Sequence, residues 1–325
     1  MRLAITLPIV LSIGFRGVGS PTPENGIKPL AEQIRAQEIA IERASGRSNG
    51  KAWLKLAVLF QNAAQYRQSE RAYRRAIALL KSGDSATLAD AMDRMGTMYA
   101  ECGEFSKAEP LERKALAIRE SAHDALGAGI SHAHLSVLLL AKRDLRSAEA
   151  EAEMAVSLLV PEQRHPESEA AAPEDKMSAL INLSLVRCAR DVCATAVPHL
   201  RRALLIAHKN YAANSIPVGF LDFLLGYALW KSGDDQSAGE SMRNGIQELS
   251  TDLGWGHPVY LRALRQYSIF LSQAGHTSEA EEIGARIATL EKSPALSQVD
   301  SADVPMGLDQ PHGSVLTDQE PWNWQ

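Results

Sequence analysis

"MDRMGTMYAECGEFSKAEPLERKALAIRE" (Met92–Glu120) decides how the rest of the chain is read. Met92, Met95 and Tyr99 recur at three and four residues and so share one face of a helix. Phe105, Ala108 and Ala115 do the same on a second helix. Between them Gly103 stands where the first helix must stop, because glycine takes the left-handed backbone that closes a helix. Gly96 and Ala108 are small residues on otherwise apolar faces, where they let a neighbouring backbone come close. The stretch is a helix–turn–helix unit with a sticky side on each helix.

The same pattern occurs six times. Its central apolar positions are Leu56, Met95, Leu135, Leu183, Leu225 and Tyr267, with steps of 39, 40, 48, 42 and 42 residues. Each is followed by a small residue: Ala57, Gly96, Ser136, Ser184, Gly226 and Ser268. The second helices repeat a small position at Ser69, Ala108, Ala148, Ala196, Ala238 and Ala280. A single hairpin cannot bury its apolar side alone, so hairpins stack and share a continuous core. The expected fold class is all-α, a right-handed superhelical solenoid of about six helix–turn–helix repeats. The long step contains the polar insert Pro161 to Lys176, read as an extended loop. Three departures stand out. Arg143 replaces the turn glycine of the third repeat, Arg187 an aromatic of the fourth, and Asp222 a bulky apolar residue of the fifth.

Composition agrees with this class. The 325 residues are 45% apolar and 22% charged, as in folded soluble chains, and only 6% aromatic. A net charge of −5 argues against nucleic acid as a partner, since phosphate binding needs a basic surface. No phosphate-cradling glycine loop, nucleophile elbow or zinc signature occurs, so neither a cofactor nor an enzymatic activity is expected, nor a small-molecule substrate. His132 and His134 are two apart and point to different faces of a helix, which speaks against a shared zinc ion. Cys102, Cys188 and Cys193 form no disulfide framework; they read as small apolar side chains, with a Cys188–Cys193 bridge open to an oxidising compartment.

The ends differ from the array. Residues 1–20 have a basic start, an apolar run from Leu3 to Phe15 and small residues after Arg16, the pattern of a secretory signal. The expectation is export to the periplasm or exterior, or a cytoplasmic location if the leader is not one. Membrane contact would come only through an uncleaved leader. Residues 21–50 are expected to hold a linker and a capping helix over Ala31 to Ala44, residues 51–292 the array, and residues 293–325 a disordered tail bearing Trp322 and Trp324.

At these positions the chain resembles the tetratricopeptide repeat family, and the longer period resembles its kinesin-light-chain-like subtype. "GEFSKAEPLERKALAIRE" (Gly103–Glu120) and "LGWGHPVYLRALRQYSIFLSQAGHTSEAEE" (Leu253–Glu282) carry the closer likeness. The second includes His257-Pro258, and His165-Pro166 opens the long insert. The resemblance implies that the first helix of each pair lines a concave groove that takes a protein or peptide. It places Lys55, Arg94 and His134 at equivalent positions, with Gln61 and Asn62 nearby, as a basic strip suited to an acidic peptide or a terminal carboxylate. They do not match the family's carboxylate clamp. Phe220, Phe223, Tyr227 and Trp230 recur at helical spacing away from Leu225 and Leu229, and form either an aromatic binding ledge or a stripe packed on the next repeat. Ile181, Asn182 and Leu185 would sit beside such a ledge, and Asn182 matches an asparagine that the subtype directs at a peptide backbone. The expected function is a non-catalytic interaction scaffold, the alternative a peptide sensor acting on another chain.

Overall fold

The structure is a computed structural model and describes residues 29–43, 46–81, 83–161, 170–252 and 258–292. The leader, the two His-Pro pairs up to their prolines and the tail with both terminal tryptophans lie outside these residues, save that Pro258 opens a helix. Among the described residues all regular structure is helical: thirteen α-helices and one 3₁₀ turn.

The chain divides into two compact units between Arg143 and Asp144. The first holds α1 (Leu30–Arg43), α2 (Gly46–Asn62), α3 (Tyr66–Leu80), α4 (Ser85–Glu101), α5 (Phe105–Ser121) and α6 (Ala125–Ala141). Each packs on the next, and α2, α4 and α6 also meet as a row. The second unit holds α7 (Leu145–Leu159), α8 (Pro173–Ala189), the 3₁₀ turn Cys193–Thr195, α9 (Val197–Asn210), α10 (Ile216–Lys231), α11 (Asp235–Asp252), α12 (Pro258–Gln273) and α13 (Thr277–Glu291). Here too consecutive helices pack in order. Two expected boundaries move. The first array helix starts at Gly46 rather than Lys51, and α8 starts at Pro173, inside the segment read as loop. Proline suits the first turn of a helix, where its missing N–H has no partner to lose.

Every hairpin turn has one left-handed residue, at Ala64, Gly103, Arg143, Asp191, Gly233 and Gly275. Their spacing repeats the 39, 40, 48, 42 and 42 steps of the apolar positions. The next amide closes the helix end by donating back to it, as in Glu104 N to Tyr99 O at 2.8 Å and His276 N to Leu271 O at 2.8 Å. Arg143 is thus no irregularity; it takes the glycine conformation at φ 66°.

The small residues do what their size allows. Ser69 Oγ donates to Ala57 O at 2.9 Å, and Ser268 Oγ to Ala280 O at 3.2 Å. A side chain on Gly226 would come within 2.7 Å of Met242 N, so α10 and α11 touch through backbone. A further crossing of the same two helices, absent from the repeat pattern, pairs Gly219 with Gly245: a Cβ on Gly245 would lie 2.5 Å from Gly219 O.

Candidate functional site

The aromatic stripe of α10 is core, which corrects the binding ledge. Phe220 and Phe223 are each 1% exposed and Trp230 is 9% exposed. The reason is that α10 is apolar nearly all round, Asp222 and Tyr227 apart, and packs against α9, α11, the 3₁₀ turn and α12. Phe223 backs onto Gly245 of α11, while Trp230 meets Phe270 of α12 edge to face at 5.7 Å between ring centres. Only Tyr227 keeps partial exposure; its ring packs against Trp230, and Lys231 Nζ lies 3.6 Å from the centre of the Trp230 ring. Ile181, Asn182 and Leu185 on α8 are buried as well, Asn182 to 1%.

The basic strip is broken up too. Lys55 is exposed, but the Arg94 guanidinium bonds the Asp90 carboxylate from one turn away at 3.0 Å. Gln61 Nε2 donates to both oxygens of Glu101 at 2.9 Å and its Oε1 accepts from Tyr73 Oη at 2.7 Å. Burial of Glu101, opposed by the Gln61 hydrogen bond, pushes its carboxyl up to about 7.

His134 does not extend this strip. It joins a buried polar cluster that α4, α5 and α6 assemble in the first unit. Asp93 sits on α4, Glu112 and Arg119 on α5, Ser131 and His134 on α6. His134 Nδ1 lies 3.2 Å from Asp93 Oδ2 and 3.7 Å from Glu112 Oε2. Arg119 Nη1 donates to Asp93 Oδ2 at 2.9 Å, to Ser131 Oγ at 2.6 Å and to Gly127 O at 3.1 Å. Ser131 Oγ in turn donates to Asp93 Oδ1 at 3.3 Å. Glu112 Oε1 accepts from Thr97 Oγ1 at 3.4 Å, while Glu112 Oε2 and His134 Nδ1 are buried without a hydrogen-bond partner. Gly96 makes room for this arrangement, because a Cβ there would stand 2.7 Å from Glu112 Oε1.

The electrostatics follow from crowding. Burial disfavours the Asp93 carboxylate, but the charge of His134, with help from Glu112 and Arg119, outweighs it and holds Asp93 well below the usual range. Burial and the neighbouring Asp93 push Glu112 well above its ordinary value. For His134 burial acts downward, and the two carboxylates, Asp93 first, overcome it and raise the imidazole to about 10. Asp93, Glu112 and His134 also offer one ligand atom each, all within 4.8 Å of one another, so this is the set among the described residues that can hold a metal ion. Sequence spacing carries no sign of it. The three residues are 19 and 22 apart, one per helix, and each alone looks like surface charge.

Two other features lie in the second unit. Asp222, an expected departure, faces Glu248 of α11; burial, then the Asp222 carboxyl, pushes Glu248 up to about 7. Cys188 and Cys193 are joined in a disulfide, with Cα atoms 4.2 Å apart, around the left-handed turn at Asp191. Arg187 bridges Glu153 at 3.3 Å and the His199 ring at 2.7 Å.

No protein-family model matches the sequence, and no curated protein is recognisably similar to it. Solved structures are similar. BtubC (BKLC) from P. vanneervenii superimposes with a TM-score of 0.59 at 19% identity, covering 70% of this chain and 94% of that one. A Podosopora anserina kinesin light chain with nearly identical TPR-like repeats gives 0.52 at 18% identity, covering 64% and 96%. A Rap protein complexed with Competence and Sporulation Factor gives 0.55 at 14% identity, covering 84% and 82%. The fold is the tetratricopeptide-repeat fold, an all-α array of repeats.

Proposed function

We propose that this tetratricopeptide-repeat array is a non-catalytic scaffold that binds a protein or peptide along the row formed by the first helices of the pairs in its first unit. The observation that carries the reading is the row α2, α4, α6 in the first unit, in which helices from successive hairpins meet and leave polar side chains at the surface. Repeat arrays present such extended faces to partners, and fold alone does not name the partner. With the α10 aromatics in the core of the second unit, Lys55 and Arg94 of the first unit are the expected contact residues that reach solvent. Lys55, together with Arg94 on exchanging its Asp90 partner, suits an acidic segment or a terminal carboxylate. Nucleic acid and small metabolites are not proposed as partners.

Panning a random peptide library on the purified chain, followed by fluorescence polarisation, tests this. Enriched peptides should carry acidic residues, and Lys55→Glu with Arg94→Glu should weaken them by about tenfold or more, as loss of charge-assisted contacts does. Enrichment no better than on an unrelated helical protein, or affinity indifferent to both reversals, rejects it.

A second reading is a regulator that senses a peptide and acts on another chain. What favours it is the likeness to a Rap protein solved in complex with Competence and Sporulation Factor. In that case one peptide sequence, rather than an acidic class, should dominate the selection.

A further inference from the structure

We propose that Asp93, Glu112 and His134 form a binding site for one divalent transition-metal ion, Zn²⁺ or Mn²⁺, held between α4, α5 and α6. Three observations converge on it. The first is distance. Around a four-coordinate ion with bonds near 2.1 Å, neighbouring ligand atoms stand about 3.4 Å apart. His134 Nδ1 lies 3.2 Å from Asp93 Oδ2 and 3.7 Å from Glu112 Oε2, on either side of that value.

The second is unmet bonding capacity. Glu112 is buried, with its side chain 3% exposed, yet Oε2 has no donor; His134 Nδ1 is also buried and meets neither carboxylate with hydrogen-bond geometry. Arg119 bonds Asp93, whereas Glu112 Oε2 faces the His134 ring, 3.7 Å away and without a hydrogen bond. A cation at the point shared by Oε2, Nδ1 and Oδ2 would use all three atoms at once.

The third is the surroundings. Ligands in metal sites are themselves held by neighbours, and Asp93 is held by Arg119 and Ser131. Gly96 leaves open the volume the Glu112 carboxyl enters. His134 keeps 20% of its side chain exposed, which supplies an entry path and room for water to complete the coordination. One imidazole nitrogen and two carboxylate oxygens suit Zn²⁺ or Mn²⁺ better than Ca²⁺ or Mg²⁺, which take oxygen alone.

The test uses the full chain, stripped with chelator and titrated calorimetrically with ZnCl₂ or with MnCl₂ alone, with the ion content measured after desalting. The expected result is one ion retained per chain. Glu112→Gln and His134→Asn should each lose more affinity than the roughly 10–100-fold that follows removal of a ligand's supporting partner. No retained ion, or variants that bind like the parent, overturns the site. Should either variant lose its helical circular dichroism, Co²⁺ loading of the unaltered chain decides. A visible band without thiolate charge transfer supports nitrogen and oxygen ligands, whereas a thiolate band or no band refutes them.

Discussion

At the scale of single residues, glycine does two separate jobs that the repeat pattern does not distinguish. Gly103 supplies a left-handed turn with open space around it, so its value is conformational. Gly103→Ala should cost about 1–2 kcal/mol, the penalty of that backbone for an L residue, read from urea unfolding. Ala64 holds the same conformation at φ 53°, and Ala64→Gly should raise the unfolding midpoint, by less because glycine is also freer when unfolded. Gly96 is a matter of space. Gly96→Ala should cost about 1–3 kcal/mol by overpacking, and the obstacle is the Glu112 carboxyl rather than a neighbouring backbone. A double-mutant cycle checks this: with Glu112→Ala in place, the Gly96→Ala penalty should shrink by more than the roughly 0.5 kcal/mol seen for uncoupled sites. Additive penalties would mean that the two do not compete for one volume.

At the scale of elements, α10 shows how one helical stripe acquires two different neighbours. Phe223 lies over Gly245 of α11 and Trp230 against Phe270 of α12, while Leu225 and Leu229 serve the same core. Phe223 and Trp230 therefore have no face left for a ligand. Phe223→Ala should therefore destabilise the chain by about 3–5 kcal/mol, the range for a buried phenylalanine, whereas exposed Lys55→Ala should stay within about 0.5 kcal/mol. Thermal and urea melts of both variants measure the contrast; a mild Phe223→Ala with lost peptide binding would restore the ledge. The six-fold small-residue pattern was legible because each hairpin repeats it 12 residues apart, from Ala57–Ser69 to Ser268–Ala280. The Gly219–Gly245 crossing was not, since it belongs to one hairpin only and has no period to reveal it.

At the scale of the molecule, half-buried carboxyls give each unit a pH response. Glu101 in the first unit and Glu248 in the second are both raised from an ordinary value of 4.5 to about 7, chiefly by burial. Between those values the folded chain holds protons that the unfolded chain has released, so stability falls as pH rises through that window. Denaturation midpoints should decline from pH 4.5 to about 7, and Glu101→Gln with Glu248→Gln should flatten the decline. A profile unchanged by both substitutions would place the proton uptake elsewhere.

The repeat length, the helix pairs, the turn positions and the small-residue contacts were all present in the amino-acid order, because each depends on residues within one hairpin and recurs in the next. The assembly of Asp93, Glu112 and His134, and the burial of the α10 aromatics, depend on which faces of helices from successive hairpins meet. Linear spacing says which side of a helix a residue occupies, but not which of those sides neighbouring helices will cover. Only packing in three dimensions settled which charges would lose water and be forced onto one another.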